Sequence, residues 1–235
     1  MCGLCGEIRF DGSFASVDAV SKMAEAMAPR GPDGAGLLAR DRVALGHRRL
    51  TIIDLSTRSA QPMTDPHLGL SIAFNGCIYN YPQLREELEG KGYTFFSSGD
   101  TEVILKAYHA WGTACVERFH GMFAFAIHER DSGRVVLARD RFGIKPLYLA
   151  EGPKRLRFAS SLQALLAAGD VDTSIDPVAL HHYMSFHAVV PPPRTMVNGV
   201  RKLPPATVRV IETDGTFKDT VYWRLDFTRT AEDVA

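Results

Sequence analysis

Short apolar runs separated by hairpin-length turns constrain this chain most. Residues 122–127, 135–138, 147–150 and 156–159 read as strands that follow one another closely, three of them joined by short polar turns. Parallel neighbours need a crossover of a dozen or more residues, so such turns predict antiparallel pairing. Further strands are expected at 4–10, 43–45, 50–53 and 70–74, the last closed by Asn75-Gly76, a strong turn signal. Residues 208–211 and 220–223 read as a hairpin around Asp214-Gly215. Helical spacing is expected over 17–27, 82–91, 101–111, 162–168 and 177–186. The run from Arg30 to Gly36, with three glycines and a proline, reads as a turn-rich loop. Helices and antiparallel strands in this mixture indicate an α+β fold, not a regular βαβ repeat.

Composition removes whole classes of function. The chain has 235 residues, 46% of them hydrophobic, enough for a full core. Lys+Arg and Asp+Glu both number 27, giving zero formal net charge. No positive excess is present to hold a nucleic-acid backbone or an anionic membrane surface. No apolar run approaches the roughly 20 residues of a transmembrane helix. The amino end lacks the basic and apolar regions of a secretory signal, and four cysteines are too few for a disulfide scaffold. Both points lead to the expectation of a reducing cytoplasm. Walker-type phosphate loops, dinucleotide fingerprints and zinc-finger spacings are lacking.

Cys2 is the residue with the most chemistry to offer. Methionine before a small side chain is usually trimmed, which would leave Cys2 as the terminus. A terminal cysteine carries a nucleophilic thiol and, on the adjacent carbon, an amine with an ordinary pKa of about 7.7–8.0. That amine can take the thiol proton and later give it to a leaving group, so one residue supplies nucleophile and base. The bland alternatives are a chance Met-Cys start or a Cys-x-x-Cys pair with Cys5. A structural zinc needs four ligands, and Cys77 and Cys115 are single and distant in sequence. A redox Cys-x-x-Cys follows a strand, and here nothing precedes it.

Eight segments occur in a fixed order: Met1-Cys2-Gly3, Arg30-Gly31-Pro32-Asp33, Gly46-His47-Arg48-Arg49-Leu50-Thr51-Ile52-Ile53-Asp54, Gln61-Pro62-Met63, Phe74-Asn75-Gly76-Cys77-Ile78-Tyr79-Asn80, Asp100-Thr101-Glu102-Val103-Ile104, Gly121-Met122-Phe123-Ala124-Phe125, and Arg139-Asp140-Arg141-Phe142-Gly143-Ile144-Lys145-Pro146-Leu147-Tyr148. Together they resemble the class II glutamine amidotransferase domain of asparagine synthetase-like enzymes, over about residues 2–225. Residues 226–235 read as a polar linker to a C-terminal synthetase domain that the sequence does not contain. Phe74-Asn75-Gly76-Cys77 and the segment from Leu180 to His187 look most like the branch that makes N-acetylglutaminylglutamine amide.

The resemblance implies a four-layer αββα sandwich of two antiparallel sheets, L-glutamine as substrate and ammonia as product. It implies that Cys2 attacks the side-chain amide, with Asn75 and the Gly76 N–H as oxyanion hole. It assigns Arg49 to the substrate α-carboxylate, the backbone of Leu50, Thr51, Ile52 and Ile53 to the pocket wall, and Asp100 to the α-ammonium. Asp100 also stands where a helix N-cap is expected. Cys77 departs from the wider family, where Glu is usual beside the substrate amine. No metal or cofactor is expected in this domain, whereas ATP and magnesium are expected in the synthetase domain. The resemblance allows a homodimer. His47 and the His181/His182 pair read as structural or surface residues, not metal ligands. Two competing readings are a sugar-phosphate or purine-pathway class II amidotransferase and a non-catalytic regulatory domain of the same fold.

Overall fold

Twelve strands build two sheets in the structure, a computed structural model that describes residues 1–227. In chain order the strands are β1 (Gly3–Arg9), β2 (Gly34–Arg40), β3 (Val43–Arg49), β4 (Met63–Asp65), β5 (Leu70–Ile78), β6 (Gly121–Glu129), β7 (Val135–Arg139), β8 (Tyr148–Gly152), β9 (Arg155–Ala159), β10 (Arg201–Lys202), β11 (Thr207–Ile211) and β12 (Phe217–Val221). The helices are α1 (Val17–Ala26), α2 (Tyr81–Gly90), α3 (Asp100–Trp111), α4 (Cys115–Arg118), α5 (Leu162–Ala167) and α6 (Pro177–Ser185). One sheet has the order β10-β8-β9-β1-β3-β2 and the other β12-β11-β7-β6-β5-β4. Every ladder is antiparallel, as the short connections require.

Three apolar clusters define the layers. Leu4, Ile8, Val43 and Leu45 of the first sheet meet Ala73, Ala124, Ala126 and Leu137 of the second, so both inner faces are dry. Outside the second sheet, Leu84, Leu88, Val103 and Ile104 of α2 and α3 cover Ile72, Phe74, Phe123 and Phe125. Outside the first, Val20, Met23 and Ala24 of α1 and Leu165 of α5 cover Cys5 and Ala44. The result is the αββα sandwich, an α+β fold. His47 ties the two sheets across the middle, with Nε2 2.9 Å from the Phe74 carbonyl. Burial lowers its pKa to about 4, so the ring stays neutral and donates that bond.

Three sequence expectations need correction. Residues 50–53 form no strand, because their polar groups bond elsewhere: Leu50 bonds Cys2, and Thr51 bonds Asp33. Asn75-Gly76 is not a turn; β5 runs through both to Ile78, held by β6 along its whole length. The glycine-rich run hides the start of β2, an edge strand whose Gly34 and Gly36 look like punctuation in sequence alone. The expected linker lies mostly outside the described residues.

Candidate functional site

Cys2 sits where β1 enters the first sheet between β3 and β9. Its Sγ accepts from the Leu50 N–H at 3.3 Å and lies 3.5 Å from the Leu50 carbonyl. The thiol is therefore fixed beside the residue that follows β3. Arg30 Nε donates to the Cys2 carbonyl at 3.3 Å, and the Met1 ammonium donates to the Arg30 carbonyl at 2.9 Å.

A cavity of about 280 Å³ opens at this point. That is near the lower end of small-molecule sites, about 300–1,000 Å³, and suits a ligand of amino-acid size. Cys2, Arg49, Leu50, Ile52, Ile53, Asn75, Gly76, Cys77 and Asp100 all line it. Thr51 is the one candidate residue outside the lining; its N–H and Oγ1 both bond Asp33 Oδ2 at 2.8 Å. The His181/His182 pair lies away from the cavity, on α6.

The register of β5 explains why Asn75-Gly76 faces this space. Phe123, opposite Gly76, turns its N–H and carbonyl to Asp140 on the far side. Residues 74, 76 and 78 therefore direct their N–H groups away from β6, toward the β4 side. β4 pairs only with residues 70–72. Beyond it, Gln61 Oε1 takes the Phe74 N–H at 2.6 Å and Asp100 Oδ2 takes the Ile78 N–H at 3.0 Å. The Gly76 N–H lies between these two, facing the same edge. Glycine is required here, because a Cβ would meet the Met122 carbonyl at 2.3 Å. Asn75 points to the opposite face of the strand's pleat and is buried, its Nδ2 donating to Ser160 Oγ at 3.4 Å. Ser160 Oγ also accepts the Leu4 N–H at 3.0 Å, so it joins Asn75 to β1, the strand that follows Cys2.

At the other end lie the charged groups. Arg49 donates through Nη1 to the Ser56 carbonyl at 2.8 Å and through Nη2 to the Asp54 carbonyl. Those bonds brace the guanidinium, which carries five donors in all. Asp54 also lines the cavity, but its oxygens are taken by the Ser56 N–H, the Ser59 hydroxyl and the Ser98 N–H. Burial would raise its pKa; these hydrogen bonds outweigh burial and hold the carboxyl well below the usual range.

Asp100 is the first residue of α3, and Gly99 is the N-cap, so the expected capping role is not the one it has. Its exposure is 5%. Burial lifts its pKa to about 6, against hydrogen bonds from Ile78, Thr101 and its own N–H that lower it. No cationic side chain forms an ion pair with it among the described residues. Cys77 lies nearby, its thiol pushed up by burial and by Asp100, and drawn down by Lys145.

Sequence reasoning missed Ser160, Gln61, Ser59 and Lys145. Gln61 and Lys145 stand inside quoted segments, and their side chains carried no separate signal. Ser160 lies outside every such segment.

Two facing antiparallel sheets, each covered by helices on its outer side, form a four-layer αββα domain with the Cys2 thiol just ahead of a central strand. The chain belongs to the glutamine amidotransferase domain family, whose model matches residues 1–223. It is 38% identical over 238 residues to asparagine synthetase [glutamine-hydrolyzing] 1 of Bacillus subtilis, covering 99% of this chain and 37% of that protein. A second B. subtilis relative, asparagine synthetase [glutamine-hydrolyzing] 3, is 30% identical over 218 residues, covering 92% of this chain and 35% of its own length. The chain thus spans about a third of these curated relatives. Among solved structures, glutamine phosphoribosylpyrophosphate amidotransferase from B. subtilis superposes with a TM-score of 0.69 at 19% identity, covering 94% of this chain and 49% of that one. That likeness speaks for the fold.

Proposed function

We propose that this domain hydrolyses L-glutamine and hands the ammonia to an ATP-dependent, asparagine synthetase-like amidation of an acceptor carboxylate. The carrying observation is one cavity that holds the Cys2 thiol, the Arg49 guanidinium and a buried Asp100 carboxylate with no cationic partner among the described residues. A free amino acid presents a carboxylate and an ammonium, and these two groups complement it. Arg49 grips the α-carboxylate through paired hydrogen bonds. The α-ammonium supplies Asp100 with the cation it lacks and draws its pKa back down.

In this reading Met1 is removed and the Cys2 amine takes the thiol proton. Sulfur attacks the side-chain amide carbon, and the carbonyl oxygen becomes an oxyanion held by Asn75 Nδ2 and the Gly76 N–H. The tetrahedral intermediate collapses to a thioester as the amine returns its proton to departing ammonia. Water then cleaves the thioester, releasing glutamate and restoring the thiol. In this reading ATP and magnesium serve the coupled amidation, and no step here uses them. Asparagine or N-acetylglutaminylglutamine amide is the product of the coupled reaction. The cytoplasm fits its four free cysteines and the lack, among the described residues, of a helix long and apolar enough to cross a membrane.

The test is ammonia release from glutamine, with intact mass recorded on the same sample. The chain is expected to lose Met1 and release ammonia, and Cys2→Ala to release none. Equal rates for the two would overturn the reading.

A further inference from the structure

Lys145 is the cationic side chain of the cavity that the reading above leaves without a role. Its side chain is buried, with 6% exposure, yet it pairs with no carboxylate among the described residues. Its ammonium instead reaches Met1 Sδ at 3.3 Å. Its backbone is pinned on both sides. Asp140 Oδ2 accepts the Lys145 N–H at 2.9 Å, and Arg139 Nε donates to the Lys145 carbonyl at 2.8 Å. Asp140 also takes the N–H groups of Phe123, Phe142 and Ile144, so the whole loop is fixed to β6. Such bracing holds a buried cation against the start of the chain.

We propose that Lys145 is a positioning residue for the terminal amine: once Met1 is removed, its positive charge favours the neutral, proton-accepting form of the Cys2 amine. The inference rests on the reading of Cys2 as the trimmed nucleophile. Methionine sulfur lies at most roughly 6 Å from the nitrogen of the next residue, from standard bond lengths, which puts Lys145 Nζ within about 10 Å of the Cys2 nitrogen. Across that distance, at an effective dielectric of about 20, a positive charge lowers a neighbouring amine by about one pH unit. An amine with an ordinary value of about 7.7–8.0, roughly a tenth to a sixth neutral at pH 7, then becomes about half to two-thirds neutral there.

Other charges face the same terminus. Arg30 and Arg49 add positive field, but their guanidinium groups already donate to carbonyls of Cys2, Asp54 and Ser56. Asp33 is tied to Thr51, and Asp54 to three donors of its own. Cys77 and Asp100 line the same cavity, Cys77 near enough for Lys145 to draw its thiol down, and the ammonium of bound substrate neutralises Asp100. On Lys145's own loop, Asp140 is satisfied by four backbone N–H groups and Arg139 by three carbonyls. Removal of Met1 takes from Lys145 the contact its ammonium makes here, and leaves that charge beside the new amine.

The test compares the wild type, Lys145→Met, which keeps the length of the chain, and Lys145→Arg, which keeps the charge. In kcat/KM for glutamine against pH, the acidic limb of Lys145→Met is expected to move up by about one unit. The plateau at high pH should be reached again, and Lys145→Arg should restore the wild-type limb. An unmoved limb in an active Lys145→Met enzyme overturns the proposal. A second measurement needs no turnover. In a Cys2→Ser background, the pH midpoint for acetylation of the terminal amine by acetic anhydride, read by peptide mass, should rise by the same amount when Lys145→Met is added. An unchanged midpoint overturns the role of Lys145 whatever the glutaminase result, and a shifted midpoint without glutamine hydrolysis overturns only the substrate reading.

Discussion

Asp100→Asn is expected to make the protein more stable and worse at holding glutamine. Asp100 is buried and its pKa is lifted from the ordinary 3.8 to about 6, mainly by desolvation. Carrying that ionised carboxyl in the folded state costs about 3 kcal/mol at pH 8. The folded value lies above the unfolded one, so the penalty is absent below pH 3.8, grows between pH 3.8 and about 6, and is full above that. An asparagine oxygen can still accept the Ile78 N–H, as a weaker neutral acceptor, at a loss of about 1 kcal/mol. The net gain is then about 2 kcal/mol at pH 8, or several degrees in Tm for a chain of this size. At pH 4 it should nearly vanish. Urea denaturation of both proteins at pH 4, 6 and 8 measures it. In the same variant the ammonium loses a charge-assisted bond, so the KM for glutamine should rise about ten- to a hundredfold. A stability difference that stays flat across this pH range would refute the account of Asp100 as a costly anion. A stabilised variant with an unchanged KM would refute its part in binding.

Three other outcomes follow from the same geometry. Asn75→Ala should lower kcat about 10²–10³-fold with little change in KM, because in the proposed mechanism its amide serves the oxyanion and not the bound substrate; a pure KM effect would point to a role in binding instead. Gly76→Ala should both destabilise the fold and depress turnover, since its Cβ would press on the Met122 carbonyl at 2.3 Å and push β5 from β6; a variant with wild-type Tm would show that the strand pair can give. Cys77→Glu adds a second carboxylate beside Asp100 and should lower the KM for glutamine, whereas an unchanged or higher KM would mean that Asp100 alone meets the ammonium.

Much of the fold was legible because its cause is local. Short turns between 122 and 159 force antiparallel pairing, and the spacing in α1 follows its buried face, whereas α3 is buried on every side from Asp100 to Tyr108, beyond what its apolar spacing predicts. The site was legible only through linear motifs. Asn75-Gly76 shows the limit: the dipeptide has strong turn chemistry, yet nine residues of β6 alongside it keep the backbone extended. β2 failed for the opposite reason, since an exposed edge strand needs little apolar alternation. Ser160 and Lys145 could not be assigned from sequence because their significance lies in what they meet. Ser160 touches Leu4 and Asn75, 156 and 85 positions away, and Lys145 reaches Met1 across 144. Asp100's burial likewise arises from the packing of α3 on the second sheet.

The placement of Cys2 at the mouth of an interior strand has a practical side. β1 pairs with β3 from Gly3 onward and with β9 from Cys5 onward, so the sheet forms whatever is attached ahead of it. A purification tag fused to the amino end should therefore yield soluble, well-folded material whose amine is locked in a peptide bond. Under the proposed mechanism such a preparation would pass every biophysical check and still be chemically dead, so recombinant work on this domain calls for carboxy-terminal handles or a protease that cuts immediately before the cysteine.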